Sequence, residues 1–438
     1  MTTTYDPKHP KYFEEADVRN EMSRVFEVCH GCRLCFKFCT SFPTLFEMID
    51  RHDDHDAGRL TPAQQDQVVD ECFQCKLCYI NCPYIPELHE WAIDFPRLML
   101  RADAMRHTNG QFSIRSRITD TVMGHTDLLG KAATTTASAA NKLIGATPGS
   151  VVRKAMEVAT GVSSVRLLPP YARQRFTTWF KRRPGVRIAK RQGRVAVFPT
   201  CLVEYQQPSI GHDLVKVYER NGIECTLADD AGCCGAPWLH SGDVEQFTKV
   251  ATKNVKALAK SIRRGHDIVV PQPTCGYVLK KDYLDYVGGA DAQLVAEHTF
   301  DAAEYLMKVH KADGTALNTD FRGHVPATVT YHTPCHLRAQ NIGLKSRDLI
   351  KLTGAKVTLV QQCSGIDGMW GLRAENADIS VPIAKKLADQ IRTANSEVIA
   401  GDCHLANTAI TEQTGEQPMH PLQLIARAYG ISEEVPQR

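Results

Sequence analysis

After residue 190 the chain alternates short apolar, β-branched runs with longer stretches of helical spacing, and each apolar run stops at a cysteine. Arg194–Phe198 leads into Cys201, Ile223–Leu227 into Cys233 and Cys234, and Asp267–Val270 into Cys275. The same three steps then recur. Ala327–Tyr331 leads into Cys335, Lys356–Val360 into Cys363, and Glu397–Ala400 into Cys403. Runs of four or five such residues bounded by Gly, Pro or Cys turns read as strands. Residues 211–221, 244–263 and 381–395 between them read as helices. From 201 to 233 is 32 residues and from 335 to 363 is 28; from 233 to 275 is 42 and from 363 to 403 is 40. The pattern predicts a small, parallel, Rossmann-like α/β unit used twice, over 191–320 and 321–438. Ligands of open parallel sheets bind at the carboxyl ends of the strands, where these cysteine loops converge.

The first 96 residues lack such strands, and Phe46–Asp50 and Gln64–Asp70 have helix-compatible composition. Two cysteine runs stand out there: Cys29-x2-Cys32-x2-Cys35-x3-Cys39 and Cys72-x2-Cys75-x2-Cys78-x3-Cys82, the second followed by Pro83. Three thiolates two residues apart wrap one face of a cubane, and the fourth, after a longer step, points away. In two-cluster ferredoxins that fourth cysteine ligates the other cluster. On that pattern Cys29, Cys32, Cys35 and Cys82 hold one [4Fe–4S] cluster, and Cys72, Cys75, Cys78 and Cys39 hold a second. Zinc sites normally use two cysteine pairs rather than a repeated 2-2-3 run, so zinc is the weaker alternative. Thr40 stands where a proline would follow the first run, which loosens that turn but removes no ligand. The expectation is a helical two-cluster ferredoxin module over 1–96.

Composition agrees with a globular chain: 438 residues, 43% hydrophobic and 23% charged. Sixteen cysteines in a chain of this length, with no apolar leader in the first ten residues, point to metal-binding thiolates in a reducing cytoplasm rather than to a disulfide scaffold. No run of 18 apolar residues suggests a spanning helix.

Cys201…Cys233-Cys234-Gly235…Cys275 and Cys335…Cys363-Ser364-Gly365…Cys403 resemble paired CCG domains, as in the heterodisulfide reductases and their relatives. With the N-terminal runs, the order is most similar to the C subunits of anaerobic glycerol-3-phosphate dehydrogenases. Tyr331–His336 and Cys363–Gly371 are similar to the second CCG half of those chains. The resemblance implies an iron–sulfur electron-transfer subunit that takes electrons from a flavin dehydrogenase partner and passes them towards a quinone or other acceptor. Each motif departs from the complete CCG pattern, which closes in Cys-x-x-Cys: Val278 and Ala406 occupy the closing positions, and Ser364 replaces the paired cysteine. The first unit thus keeps Cys201, Cys233, Cys234 and Cys275, a candidate third metal centre, iron–sulfur or zinc. The second keeps Cys335, Cys363 and Cys403, a weaker candidate that could recruit His336 or His404. Cys225, inside a strand, is a bystander. Trp238 and Trp370 are expected to be core residues.

No dinucleotide or P-loop fingerprint and no hydrolase triad is present, and no catalytic residue is assigned. The net charge of +3 conceals a strong asymmetry. Residues 97–190 carry 17 Lys and Arg against four acids, a net +13, so the rest carries −10. The segment predicts a basic, amphipathic helical linker. Its competing readings are a solvated face packed on the flanking domains, an anionic membrane surface, and an acidic partner; nothing supports nucleic acid. The C subunits it resembles are held to anchor their complexes, which implies a cytoplasmic protein, peripheral on the inner face of the membrane. Two other classes compete with electron transfer from a dehydrogenase: a catalytic reductase with metal in the CCG-type units, and a soluble donor to a rubrerythrin-like peroxide reductase.

Overall fold

The computed structural model describes residues 5–228, 230–312, 316–366 and 368–432; the first four residues of the chain and Asp367 of the Cys363–Gly371 loop lie outside them. Two units divide the chain. One contains the chain up to Asp120 together with Gly235–Thr248, the other Thr121–Cys234 together with the chain from Lys249 onward.

The first unit is built on five helices of its N-terminal part: α1 (Glu15–Cys32), α2 (Ser41–Asp50), α3 (Pro62–Asp70), α4 (Leu77–Asn81) and α5 (Phe95–Thr108). Local chemistry sets their ends. Thr61 Oγ1 accepts from the Gln64 amide while Gln64 Oε1 accepts from the Thr61 amide, a reciprocal cap with Pro62 in the first turn of α3. Asp94 caps α5 by accepting from the Arg97 amide at 3.0 Å. Val18, Met22 and Phe26 of α1, Phe42, Leu45 and Phe46 of α2, and Leu98 and Met99 of α5 are buried together. Each such side chain stabilises the bundle by roughly 1.5–3 kcal/mol. That apolar interior leaves the cysteine runs at the helix ends and the loops between them.

The second unit carries seven strands among the described residues: β1 (Gly193–Val197), β2 (Ile223–Leu227), β3 (Asp267–Val270), β4 (Thr299–Asp301), β5 (Thr328–His332), β6 (Lys356–Val360) and β7 (Val398–Gly401). They form two wholly parallel sheets, in the orders β2-β1-β3-β4 and β6-β5-β7. In each repeat the first strand lies between the two that follow it, flanked by helices such as Pro208–Arg220 and Ala377–Ala394. Six of the seven strands coincide with the apolar runs. The seventh, β4, is three residues long, too short to show a period, and is found only by its pairing with β3.

Helices fill the basic middle segment: Thr126–Thr135, Ala137–Ile144, Val151–Thr160 and Phe176–Arg182 follow Ile114–Gly124. Part of its charge is structural. Arg153 is fully buried and donates to the carbonyls of Ile144, Ser163 and Arg166 at 2.8–2.9 Å. Arg166, also fully buried, pairs with Glu412 at 3.1 Å and donates to Ser380 Oγ at 2.8 Å. Val162 bridges Arg373, so this stretch is bound to the second α/β repeat. In the first unit Arg101 and Arg106 pair with Asp17 and Asp70, each at 2.7 Å.

Candidate metal centres

Cys29 and Cys32 occupy the last turn of α1, which Arg33 ends in the left-handed region at φ 52°. Cys35 and Cys39 follow on the loop to α2. In the second run, Gln74 and Lys76 take φ of 59° and 62°, curling the loop that carries Cys72 and Cys75; Cys78 lies in α4 and Cys82 caps its end. The two runs meet. Cys29, Cys32, Cys35 and Cys82 line one cavity, walled by Phe42, Tyr84 and Ile93.

The electrostatics also bring the two runs together, with thiols of one run acting on those of the other. Burial, then Cys35, Cys82 and Cys32, push the Cys29 thiol far up. Burial, then Cys82, Cys32 and Cys39, take Cys35 up to about 12. Cys72 is raised by burial and then by Cys39, and Cys78 by burial and then by Cys75, Cys72 and Cys39. Buried thiols that repel one another's charge, as Cys29, Cys35, Cys72 and Cys78 do, become thiolates only beside a compensating cation, the environment of metal ligands. Secondary contacts are in place. The Tyr84 amide donates to Cys82 Sγ at 3.4 Å, and Gln74 Nε2 lies 3.6 Å from Cys72 Sγ. Lys76, buried against Gln74 Oε1 at 2.6 Å, favours the Cys72 thiolate. Cys32 is exposed whereas Cys75 and Cys78 are buried, so the two sites differ in solvent access.

In the second unit the cysteines of the first repeat sit where its strands end. Cys201 opens the short helix Cys201–Tyr205 after β1, Cys233 and Cys234 follow β2, and Cys275 lies in the helix Pro273–Tyr277 after β3. The four thiols are contiguous: Cys233 is hydrogen-bonded to Cys201 and to Cys234, and Cys234 also to Cys275. Those bonds, with burial, push Cys201 and Cys234 far up. Cys225 points away from this group into the apolar core, as expected of a bystander.

The second repeat is sparser. Cys335 opens the helix Cys335–Ala339 after β5, Cys363 follows β6, and Cys403 stands at the N-cap of His404–Thr414. Cys335 hydrogen-bonds to Cys363 and lowers its pKa against the effect of burial; the Gly365 amide, 3.3 Å from the sulfur, and Arg338 act in the same direction. The ring of His336 meets Thr274 Oγ1 through Nδ1 at 3.1 Å. His404 Nε2 is buried without a partner, and burial takes the ring down to about 4, leaving a neutral nitrogen of the kind that ligates metals. Trp238 is buried as expected, and Trp370 half-buried.

One anchoring residue escaped the sequence reading. Asp127 Oδ2 accepts from the Cys233 amide at 2.8 Å and Oδ1 from the Tyr205 hydroxyl at 3.1 Å. It thereby ties the helix Thr126–Thr135 to the cysteine rim of the first repeat. Gly130 of the same helix lies so close to the Tyr205 ring that an added Cβ would stand 2.4 Å from it. The available signal was that Asp127 is one of only four acids in a strongly basic segment.

Comparisons with known proteins agree with this geometry. The model of the CCG cysteine-rich domain matches residues 195–280 and 329–410, one span for each α/β repeat. The C subunit of anaerobic glycerol-3-phosphate dehydrogenase from Escherichia coli is 28% identical over 318 residues, 72% of this chain and 78% of the relative. The B subunit of the fumarate reductase (CoM/CoB) from Methanothermobacter marburgensis is 29% identical over 248 residues, 54% of this chain but only 46% of the relative. Lactate utilization protein A of Bacillus pumilus is 25% identical over 229 residues, 48% of this chain and 87% of the relative. Each α/β repeat thus carries one span similar to the CCG cysteine-rich domain, and over those spans the chain is similar to CCG-domain proteins.

Proposed function

We propose that the chain is an iron–sulfur electron-transfer subunit of an oxidoreductase complex, with two [4Fe–4S] clusters in its N-terminal helical module. The observation that carries this reading is the single cavity lined by Cys29, Cys32, Cys35 and Cys82, in which the last thiol comes from the other run. Each cluster, when bound, supplies one-electron redox chemistry. The protein's part is to hold it through four thiolates and to set its potential by amide contacts and nearby charge. Tyr84 and Gln74 give such contacts, and the buried Lys76 gives the charge.

Exposed Leu34 and Phe36 lie in the loop directly after the exposed Cys32, an apolar surface suited to a redox partner, which we take to be a flavin dehydrogenase subunit. The relatives named as dehydrogenase and reductase subunits support a partner of that class. The contiguous thiols of the first α/β repeat make a third centre, and Cys335, Cys363 and Cys403 with His404 a fourth, weaker one. No helix among the described residues is long and apolar enough to cross a membrane. Exposed Leu128, Leu143, Val151 and Val158, interleaved with exposed Lys131, Lys142 and Lys154, make an interfacial face for anionic lipid. Anaerobic reconstitution with iron quantification and EPR tests the main reading: two four-iron clusters amount to about eight iron atoms per chain, and markedly fewer would sink it. Flotation with anionic liposomes tests the lipid face, and a chain that stays at the bottom of the gradient removes it.

A further inference from the structure

Three side chains outside the cysteine sites converge in the first unit. His30 stands in the last turn of α1, Asp50 is the last residue of α2, and His55 lies on the loop that follows. One ligand atom from each, a ring nitrogen of either histidine and a carboxylate oxygen, all lie within 4.8 Å of one another. His30 Nε2 is 2.8 Å and His55 Nδ1 3.8 Å from the same oxygen, Asp50 Oδ1. A divalent cation with bonds of about 2.1 Å holds neighbouring ligand atoms about 3.0–3.4 Å apart, so those two separations bracket what it needs.

The place already attracts positive charge. The Arg33 guanidinium reaches both Asp50 Oδ1 and His30 Nε2. Those contacts conflict: His30 Nε2 meets a donor, Arg33 Nη2, and an acceptor, Asp50 Oδ1, and one ring nitrogen satisfies only one of them in either tautomer. A metal ion in the guanidinium's place removes the conflict, because the lone pairs of Nε2, Oδ1 and His55 Nδ1 then face one cation. Arg33 has room to leave: its side chain is 45% exposed, and its guanidinium carbon lies over the Phe46 ring, 5.3 Å from the centroid, where it can remain. The fields also favour a cation. The carboxyl ends of α1 and α2 are the negative ends of their dipoles. Residues 50–56 read Asp-Arg-His-Asp-Asp-His-Asp, four carboxylates to one guanidinium. We propose that His30, Asp50 and His55 bind one first-row divalent cation, of the nickel and zinc class, with water completing its shell. Two imidazoles select such metals over magnesium and calcium, which prefer oxygen ligands. The bound ion joins the end of α1 that carries Cys29 and Cys32 to the end of α2.

Calorimetric titration of the full-length, anaerobically reconstituted chain with nickel(II) chloride tests the site, with magnesium chloride as the hard-ion control. One nickel ion per chain is expected beyond what the His55→Asn variant takes up, and no magnesium. His55→Asn, which keeps a residue tolerant of the φ of 50° found there, and Asp50→Asn each weaken nickel binding at least about tenfold, as loss of a ligand does. His9→Asn, at an exposed histidine outside the group, leaves it unchanged. Arg33→Gln removes the competing cation and tightens binding about threefold, the scale of an exposed ion pair. Nickel raises the melting temperature of the wild type but not of His55→Asn. Equal nickel binding by the wild type and both ligand variants, magnesium bound as tightly as nickel, Arg33→Gln binding no tighter than the wild type, or no binding up to about 1 mM nickel overturns the proposal. The group contains no cysteine, so the difference between the wild type and His55→Asn isolates it from nickel held by thiols. Its outcome stands whether or not the chain assembles clusters.

Discussion

Cross-ligation between the two cysteine runs makes a prediction that a sequential arrangement does not share. Cys32 and Cys82 line the same cavity although 50 residues separate them, whereas Cys32 and Cys39 belong to one run. Alanine supplies no ligand, so each substitution removes one thiolate from one site. In the crossed arrangement Cys32→Ala with Cys82→Ala empties one site twice over and leaves the other intact, with about four iron atoms per chain. Cys32→Ala with Cys39→Ala strikes both sites, and the iron content falls towards zero. A sequential arrangement reverses the two results. Iron and acid-labile sulfide are measured after anaerobic reconstitution, with EPR of the dithionite-reduced samples. The wild type is expected to show the coupled signal of two neighbouring reduced clusters, because Cys35 lies close enough to Cys78 to raise the cost of its charge. The Cys32/Cys82 variant shows one uncoupled signal. An iron content near zero in that variant, with about four atoms retained in the Cys32/Cys39 variant, refutes the crossed assignment.

Three further outcomes are expected. Arg166→Met removes the partner of Glu412 and the Ser380 hydrogen bond from a fully buried site, and breaking such a pair costs about 3–5 kcal/mol; a loss below about 1 kcal/mol in denaturant titration would show the pair to be unimportant. Asp127→Ala frees the Cys233 amide and the Tyr205 hydroxyl, so hydrogen exchange over 126–135 accelerates while N-terminal iron content holds; unchanged protection there contradicts the anchoring role. Burial, then the Asp402 and Glu304 carboxylates, hold Asp301 up at about 7 against an ordinary 3.8. A raised carboxyl contributes stability that is full below its unfolded value and is lost as pH rises through about 7. The wild type therefore loses more thermal stability between pH 6 and pH 8 than Asp301→Asn does, and parallel melting curves for the two would exclude it.

Much of the site was legible in one dimension, for reasons particular to these residues. Chelation of a cubane needs thiolates two residues apart, and both N-terminal runs show that spacing. A buried parallel strand needs four or five consecutive apolar residues, and six of the seven strands have them. The positive middle segment was equally plain, but its use was not. Arg153 and Arg166 read as surface charge and prove fully buried, because their partners are backbone carbonyls and a carboxylate 246 residues away. No periodicity announces such a partner.

The sequence by itself determined the two N-terminal cysteine runs, the doubled strand-and-cysteine repeat and the basic segment between them, since each is written in local spacing or composition. Tertiary structure alone decided that Asp127 grips the rim around Cys233, that β4 extends the first sheet, and that Arg153 and Arg166 are buried rather than solvated. The reason is physical. The energy of such a contact depends on separation in space and on how much water is excluded around it, and both are set only when distant segments pack.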